Sequence, residues 1–326
     1  MPINALINWI ELGMIFAVMA LGVYISFRIL DFPDLTVDGS FVTGGAITAV
    51  MLVFGYPSII ATLVAPVLGF IVGCMTGILH TKGKINALLS GILMMIALYS
   101  INLRIMGFTN PNGVSTPNIS LLRMDTIYTP IENLAASTVF SQWGIIIFLA
   151  FIIIVLKLLT DYFLKTEFGL ALRATGNNKR MIRNFSGNTD FYLIIGIGIS
   201  NAFVALSGAL FAQYSQFADN TMGVGMIVIG LASIIIGEAL LGTKSIFRST
   251  FAVLIGAILY RVIIGVALMY GILEASDQKL ITALIVVAAL ILPKMISNYR
   301  EKVRKRNRAK EKSSLESKAN GVKTSA

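Results

Sequence analysis

The stretch KTEFGLALRATGNNKRMIRNFSGNTD, residues 165–190, is a polar and net-basic interruption in a chain that is otherwise mostly apolar. Its 26 residues are too many for a tight turn and too few for a domain. Long apolar runs lie on both sides of it. We therefore predict that 165–190 lies outside the membrane as a surface for a partner or for lipid headgroups, and that the rest of the chain forms the membrane-embedded body.

The composition indicates that lipid, and not water, is the solvent of this chain. Of its 326 residues 56% are hydrophobic and 13% are charged, and the mean hydropathy is +0.83. Soluble domains are about a quarter charged. Apolar runs of about 18 residues or more recur from end to end, and backbone groups in lipid are satisfied within helices. The alternating segments of about ten residues that build membrane barrels are absent. The predicted fold is all-α and polytopic.

Nine membrane spans are predicted from these apolar runs and their boundaries. They cover residues 7–29, 37–55, 57–79, 85–105, 142–163, 191–216, 225–241, 249–272 and 279–297. The second and third spans weakly resemble the seventh and eighth, because each pair is Gly-rich and tightly connected, which is the pattern of an inverted repeat. Residues 1–297 thus form a transmembrane domain, and 298–326 form a basic tail that is predicted to be disordered.

Lysine and arginine concentrate on one side of the predicted membrane body. That side holds 21 of the 26 basic residues, among them five within 165–190 and 11 within 294–326. Because basic residues concentrate in cytoplasmic loops, this side is predicted to be cytoplasmic. Nine spans then place the N-terminus outside and the C-terminus in the cytoplasm. The tail favours contact with anionic lipid over contact with nucleic acid.

A second polar stretch, DFPDLTVDGS at 31–40, lies between the first two spans. Proline disfavours helix before it, and the glycines after it permit close backbone approach, so a helix is predicted to break here. We interpret it as a discontinuous helix beside a substrate pathway. The alternative is an ordinary loop with solvated carboxylates. The pathway residues predicted here are Asp31, Pro33, Asp34, Asp38, Gly39 and Ser40.

Three polar side chains inside predicted spans need partners. Arg261 lies near the centre of the eighth span, where a guanidinium costs about 3 kcal/mol on insertion scales. One interpretation pairs it with Asp34, Asp38 or Glu11, and the other has it attract the carboxylate of a passing substrate. We favour the ion pair. Asn102 and Asn201 are candidates for hydrogen bonds between helices along the same pathway.

Signals for an enzyme are poor, and signals for helix packing are clearer. The single histidine and single cysteine belong to no cluster with metal-ligand spacing, so no metal site and no catalytic residue is predicted. Gly69, Gly73 and Gly77 recur every fourth residue and make one smooth helix face. That face serves either internal packing, which we favour, or a subunit contact.

The middle of the opening stretch, residues 170–185, is predicted to form a short amphipathic helix. Leu172, Met181 and Phe185 supply apolar side chains, and arginines and lysine surround them. Gly176 and the two asparagines after it are expected to kink or cap the helix. A helix this short is marginal in water and needs a partner surface. Docking on a protein and lying on the inner leaflet remain open as alternatives.

Four segments resemble one family of membrane proteins: FGLALRATGNNKRMIRNFSGNTDFY at 168–192, ALSGALFAQY at 205–214, YSINLRIMG at 99–107 and GLASIIIGEALLG at 230–242. They are similar to ABC-importer permeases of the branched-chain amino acid and ribose type, within a branch linked to tryptophan or tyrosine uptake. In that family the first segment opens the coupling helix that docks on the ATPase, and DFPDLTVDGS matches the broken-helix motif. The resemblance assigns ATPase coupling to Leu170, Leu172, Arg173, Gly176, Asn177, Asn178, Arg180 and Phe185.

The resemblance implies an assembly and a transport function. It implies two permease subunits, here a homodimer, two ATPase subunits that bind ATP and Mg, and an extracytoplasmic substrate-binding protein. The chain itself is then no enzyme and holds no cofactor. We expect it to sit in a bacterial cell membrane and to import an amino acid, with aromatic amino acids as one option. The alternative is an ion-coupled secondary transporter, in which Asp34, Asp38 or Glu238 would titrate.

Overall fold

The computed structural model describes residues 3–109, 117–136, 143–184 and 187–269 and the single positions 280 and 287. Two short strands accompany the helices in these ranges. The elements are α1 (Ile3–Val23), a π-helical turn (Tyr24–Ile29), α2 (Thr36–Val53), α3 (Ser58–Thr81), α4 (Ala87–Gly107), β1 (Asn118–Ser120), α5 (Thr129–Ala136), α6 (Gly144–Lys165), α7 (Glu167–Asn177), α8 (Lys179–Asn184), α9 (Thr189–Ser215), β2 (Phe217–Asp219), α10 (Met226–Leu241) and α11 (Ile246–Met269).

Seven helices within the described ranges are long and apolar enough to cross a membrane. They correspond to the first six predicted spans and the eighth; for example, the predicted span 57–79 is the helix Ser58–Thr81. The predicted seventh span is α10, whose 16 residues are fewer than the roughly 20 that a perpendicular crossing needs. The ninth span and the boundary between transmembrane domain and tail lie outside the described ranges. The count of nine spans and the inverted repeat stay predictions.

Helix α1 lies at the centre of the protein. Its residues from Ile15 to Leu21 are almost fully buried, and α6, α9, α10 and α11 all contact it. The helix is apolar on every side, which is typical of a helix surrounded by protein. By contrast, α3, α4 and α6 expose rows of large apolar side chains such as Leu63, Ile96 and Phe151. These outer helices therefore present the surfaces that lipid or another subunit can cover.

Helix α9 packs against α2 and α3 through glycines. A Cβ atom added to Gly44 of α2 would overlap the carbonyl oxygen of Ala205, and one added to Gly77 of α3 would lie 2.8 Å from the Cα atom of Ile194. Gly69 and Gly73 are also in close contact with the α9 backbone. The smooth glycine face of α3 thus contacts a helix of its own chain, in the close-approach geometry that small residues allow.

A short antiparallel sheet ties two distant connections together. Asn118 pairs with Asp219 and Ser120 with Phe217. Nearby, the side chain of Gln213 accepts a hydrogen bond from the backbone N–H of Ile127 at 2.9 Å. The predicted all-α class omitted this sheet, because two three-residue strands carry no periodic pattern that a sequence reading can detect.

Candidate transport site and coupling surface

The predicted amphipathic helix at 170–185 is two helices, α7 and α8, separated at Asn178. Thr166 caps the start of α7, and its hydroxyl accepts a hydrogen bond from the backbone N–H of Gly169 at 3.2 Å. Asn178 has φ −155° and accepts a hydrogen bond from the backbone N–H of Met181 at 3.2 Å. Its side chain therefore caps α8 in the manner typical of asparagine. Phe185 lies outside the described residues.

The two helices have a buried side and an exposed side. Leu172 is fully buried in a cluster with Leu30 and Phe32, so it contacts its own chain. Leu170 and Met181 are 52% and 45% exposed. The predicted coupling residues Asn177, Asn178 and Arg180 are exposed as well, and Arg173 is half-buried. Apolar and basic groups of this segment are thus available to a partner.

Helix α7 is in direct contact with the end of the first membrane helix. A Cβ atom added to Gly176 would overlap the carbonyl oxygen of Ile29 and lie 2.9 Å from the Cα atom of Leu30. Only glycine permits this approach of two backbones. Beside the contact lies a polar groove of about 900 Å³, which we call the coupling groove. Asp31 and Arg173 line it, and so do Arg28 and Glu238, whose side chains form an ion pair at 2.9 Å.

The chain is not helical at residues 30–35, as the proline predicts. Asp31 has φ +51°, a left-handed conformation that aspartate tolerates. Pro33 is exposed, whereas Asp34 is fully buried. Burial raises the pKa of the Asp34 carboxyl, and hydrogen bonds from Thr36 and Asn201 oppose that rise. The interruption of the helix is therefore present, and its action as a discontinuous helix inside the membrane stays a prediction.

Buried hydrogen bonds join this segment to α9 and α4. The Asp34 carboxylate accepts from the Asn201 amide at 2.7 Å and from the backbone N–H of Thr36 at 2.9 Å. Ser40 donates to the other end of the Asn201 amide at 2.7 Å. Thr43 donates to the Asn102 amide at 2.9 Å. Asn102 and Asn201 thus form hydrogen bonds between helices, as predicted, and Asn201 bonds both Asp34 and Ser40.

Asp38 holds the start of α10. One carboxylate oxygen accepts from the backbone N–H of Gly225 and the other from that of Ile227, both at 2.9 Å. The first N–H groups of a helix lack partners within the helix, and a carboxylate there also interacts favourably with the helix dipole. Asp38 therefore connects α2 to α10 and is not a free carboxylate in solvent.

A cavity of about 450 Å³ lies between α2, α4 and the segment before α10. We call it the Asn220 cavity. Its wall includes Asp38, Gly39 and Asn102 from the predicted pathway, and Tyr99 and Asn220 in addition. Asn220 is 3% exposed, and its amide N–H group points to the carbonyl oxygen of Tyr99 at 3.4 Å. Its side-chain oxygen has no hydrogen-bond partner among the described residues.

The expected ion pair of Arg261 is not formed among the described residues. Asp34 and Asp38 are bonded to the groups given above, and Glu11 accepts from the Tyr214 hydroxyl at 2.8 Å. These carboxylates are thus already satisfied by nearer donors. The guanidinium carbon of Arg261 lies instead 5.2 Å from the centre of the Phe16 ring, beside a separate cavity of about 390 Å³. The ion-pair interpretation was wrong for the described part of the chain.

Two features of the structure were not predicted from the sequence. Lys157 and Asp161, both on α6, form a buried ion pair, and the Thr250 hydroxyl of α11 donates a hydrogen bond to Asp161 at 2.6 Å. Their spacing of four residues was a signal that could have revealed the pair. Asn220 had no such signal, because its buried oxygen is defined by the packing of α4 against a turn far away in sequence.

Comparison with known proteins gives the chain its family. Residues 5–292 match the family described as "Branched-chain amino acid transport system / permease component". The chain is 42% identical over 287 residues to a tyrosine transport system permease protein of Clostridioides difficile (strain R20291), covering 88% of this chain and 90% of that protein.

Two further relatives extend this likeness. The chain is 34% identical to an uncharacterised protein of Rickettsia prowazekii (strain Madrid E), over 88% of this chain and 97% of the relative. It is 24% identical to the ribose import permease protein of Escherichia coli (strain K12), over 89% of this chain and 85% of the relative. The chain therefore belongs to the family of branched-chain amino acid transport system permease components, and it is a multi-pass permease component of an ABC transporter.

Proposed function

We propose that this chain is the permease of a bacterial ABC importer that carries an amino acid, tyrosine or a close aromatic relative, into the cytoplasm. The observation that carries the proposal is the backbone contact of Gly176 with Ile29, because it joins the docking segment to the interrupted helix. The name of the relative from Clostridioides difficile supports the choice of substrate.

The exposed side of α7 and α8 is the surface on which we place the ATPase. Leu170 and Met181 offer apolar contacts, and Arg180 offers a cation beside them. The buried side transmits the movement: Leu172 packs on Leu30 and Phe32, so a displacement of α7 moves residues 30–35 with it. Packed side chains respond to such a shift as a unit because the interior has little free volume.

The displaced segment leads to the Asn220 cavity. Asp34 is bonded to Asn201, and α2, which begins directly after residues 30–35, supplies Asp38 and Gly39 to the cavity wall. A volume of about 450 Å³ falls within the roughly 300–1,000 Å³ of small-molecule sites. We place the amino group of the substrate near Asn220, whose side chain lines the cavity and whose oxygen has no hydrogen-bond partner among the described residues.

The working assembly contains more than this chain. It comprises two copies of the permease, two ATPase subunits that bind ATP and Mg, and an extracytoplasmic binding protein that delivers the substrate. The chain lies in the plasma membrane with its N-terminus outside and its C-terminus in the cytoplasm. The exposed apolar rows of α3, α4 and α6 are the surfaces available for the second copy and for lipid.

Reconstitution tests the proposal. The permease, its ATPase and its binding protein are placed in proteoliposomes, and uptake of radiolabelled tyrosine is measured with ATP inside. The expected result is uptake that requires ATP, the binding protein and an ATPase with an intact catalytic site. The matched control omits ATP and imposes a proton gradient. Tyrosine uptake by the permease alone under that gradient would overturn the proposal in favour of an ion-coupled transporter.

A further inference from the structure

The cavity beside Arg261, of about 390 Å³, is separate from the Asn220 cavity and is built from different side chains. We call it the Arg261 cavity. Phe16 of α1, Phe211 of α9 and Phe217 of β2 line it together with Arg261 and Asp219. It therefore combines one cation, one anion and three aromatic rings.

Arg261 forms no ion pair in the described part of the chain, although it lies within a membrane-spanning helix. A guanidinium offers five N–H donors, and a ring face at 5.2 Å satisfies its charge only in part. Charged groups inside membrane helices face protein or water-filled space and mark ligand pathways. The N–H groups of this arginine that face the cavity are therefore suited to bind an anion. A carboxylate fits their planar arrangement because it can accept two parallel hydrogen bonds.

Asp219 supplies the opposite charge. One of its carboxylate oxygens accepts two bonds from Thr221, from the backbone N–H at 2.6 Å and from the hydroxyl at 2.5 Å. The second oxygen makes no hydrogen bond to any residue that the structure describes. The Thr221 bonds fix the carboxylate at the end of β2, where it lines the cavity with one oxygen left for a ligand cation.

The aromatic side chains form the third part of the cavity. The rings of Phe16 and Phe211 are stacked, with centres 5.6 Å apart and an angle of 26°. Phe217 is 45% exposed at the end of β2. Aromatic pairs are stabilised beyond what area burial alone supplies, so such a wall favours a ligand that carries a ring.

We propose that the Arg261 cavity binds an aromatic amino acid as its zwitterion, with the carboxylate on Arg261, the ammonium on Asp219 and the ring against Phe16, Phe211 and Phe217. The inference rests on the proposed function and adds a substrate subsite to it. Val224 lines both this cavity and the Asn220 cavity. The two cavities thus lie on either side of the segment before α10, and we assign them as consecutive binding sites for one substrate.

Binding to the purified full-length chain tests the subsite. The chain is placed in nanodiscs of phosphatidylcholine and phosphatidylglycerol, and saturation-transfer NMR follows titration with L-tyrosine, tyramine and 3-(4-hydroxyphenyl)propionate. Tyramine lacks the carboxylate and the propionate lacks the ammonium. Because a hydrogen bond to a charged group contributes about 1.5–3 kcal/mol, each analogue is expected to bind about tenfold or more weakly than tyrosine.

Variants locate the effect. Arg261→Gln is expected to lower the affinity for tyrosine to that for tyramine and to leave the affinity for tyramine unchanged. Asp219→Asn is expected to lower the affinity for tyrosine to that for the propionate and to leave the affinity for the propionate unchanged. Arg104→Gln, at an exposed arginine near the end of α4, is the matched control. Phe217→Ala alters an exposed ring, so it serves if Arg261→Gln does not fold, and it should weaken all three ligands about equally.

Three results would overturn the subsite: equal affinity for the three ligands, an Arg261→Gln variant that still prefers tyrosine to tyramine, or displacement of tyrosine by phosphatidylethanolamine in the nanodisc. The last result would assign the cavity to a lipid headgroup with a primary ammonium, since the phosphatidylcholine already in the nanodisc is zwitterionic as well. The proposed function fails separately, because it is judged by ATP-dependent uptake in the full assembly. If ATP-dependent uptake is observed but tyrosine is not preferred in binding, only the subsite proposal is wrong. If tyrosine is preferred in binding but ATP-dependent uptake is not observed, only the importer proposal is wrong.

Discussion

Gly176 of α7 lies so close to Ile29 that any side chain on it would overlap the Ile29 carbonyl oxygen. This contact joins the segment that we assign to ATPase docking with the end of the π-helical turn. Residues 30–35 follow directly, and Asp34 within them is bonded to α9. A route of direct contacts therefore leads from the exposed face of α7 to the helices around the Asn220 cavity.

Substitution of Gly176 by alanine tests this route. The added methyl group forces α7 away from Ile29, at a cost of about 1–3 kcal/mol typical of overpacking. We expect the stimulation of ATPase activity by the loaded binding protein to fall about tenfold or more. Gly187→Ala is the control, since the three atoms nearest to its methyl group would all belong to Ile182 and none to the first membrane helix. Normal stimulation in Gly176→Ala would show that the contact transmits nothing.

Asp34 is expected to be sensitive even to asparagine. Both of its oxygens accept hydrogen bonds, and an amide can present only one acceptor oxygen to Asn201 and Thr36. We predict that Asp34→Asn lowers the free energy of unfolding by about 1–3 kcal/mol. Scanning fluorimetry in detergent measures the change, with exposed Asp31→Asn as a control that should differ from wild type by less than about 0.5 kcal/mol. Equal melting of both variants would contradict the prediction.

Asp38 should act locally on α10. Asp38→Ala removes the acceptor of the Gly225 and Ile227 N–H groups, a loss of about 0.5–2 kcal/mol by analogy with helix caps. Hydrogen exchange at residues 225–227 is expected to speed up about tenfold while α3 keeps its protection. Asp38→Asn retains one acceptor and should give an intermediate rate. An unchanged rate in Asp38→Ala would mean that other groups hold this helix end.

The buried pair of Lys157 and Asp161 predicts a compensated double substitution. The lysine also lies over the Phe247 ring, with its Nζ atom 3.2 Å from the ring centre. Lys157→Met leaves the Asp161 charge buried without its partner, which costs about 3–5 kcal/mol. Asp161→Leu added to Lys157→Met should restore most of the lost thermal stability. A double variant no more stable than Lys157→Met would show that the pair is not the source of the loss.

The sequence was sufficient to place most of the helices. The predicted span 191–216 is the helix Thr189–Ser215, because a long apolar run between polar ends leaves few alternatives in a membrane. The interruption after the first span followed from Pro33, and the separation of α7 from α8 followed from the glycine and asparagines at 176–178. In each case one residue type restricts the backbone locally, so the local sequence carries the information.

The partners of the polar groups could not be predicted in the same way. The sequence shows that Arg261 needs a partner and which carboxylates the chain contains, so it favours an ion pair. The observed neighbour, Phe16, is determined by how α1 and α11 cross, which the sequence does not show. The orphan oxygen of Asn220 likewise depends on packing against Tyr99, 121 residues away. Contacts over such sequence separations follow from the three-dimensional arrangement and leave no local pattern.

The position of α9 also has a consequence for biosynthesis. Three groups lie on α9 or directly after it: the backbone that the glycine face of α3 contacts, the buried amide that bonds Asp34, and the strand that pairs with β1. Helices α2 and α3 leave the ribosome more than a hundred residues before α9 does, and until then the glycines that contact α9 and the side chains that bond Asn201 lack those native partners. The first half of the chain is therefore expected to stay incompletely packed during synthesis, in contact with lipid or with the insertion machinery. Its core is completed when α9 is inserted.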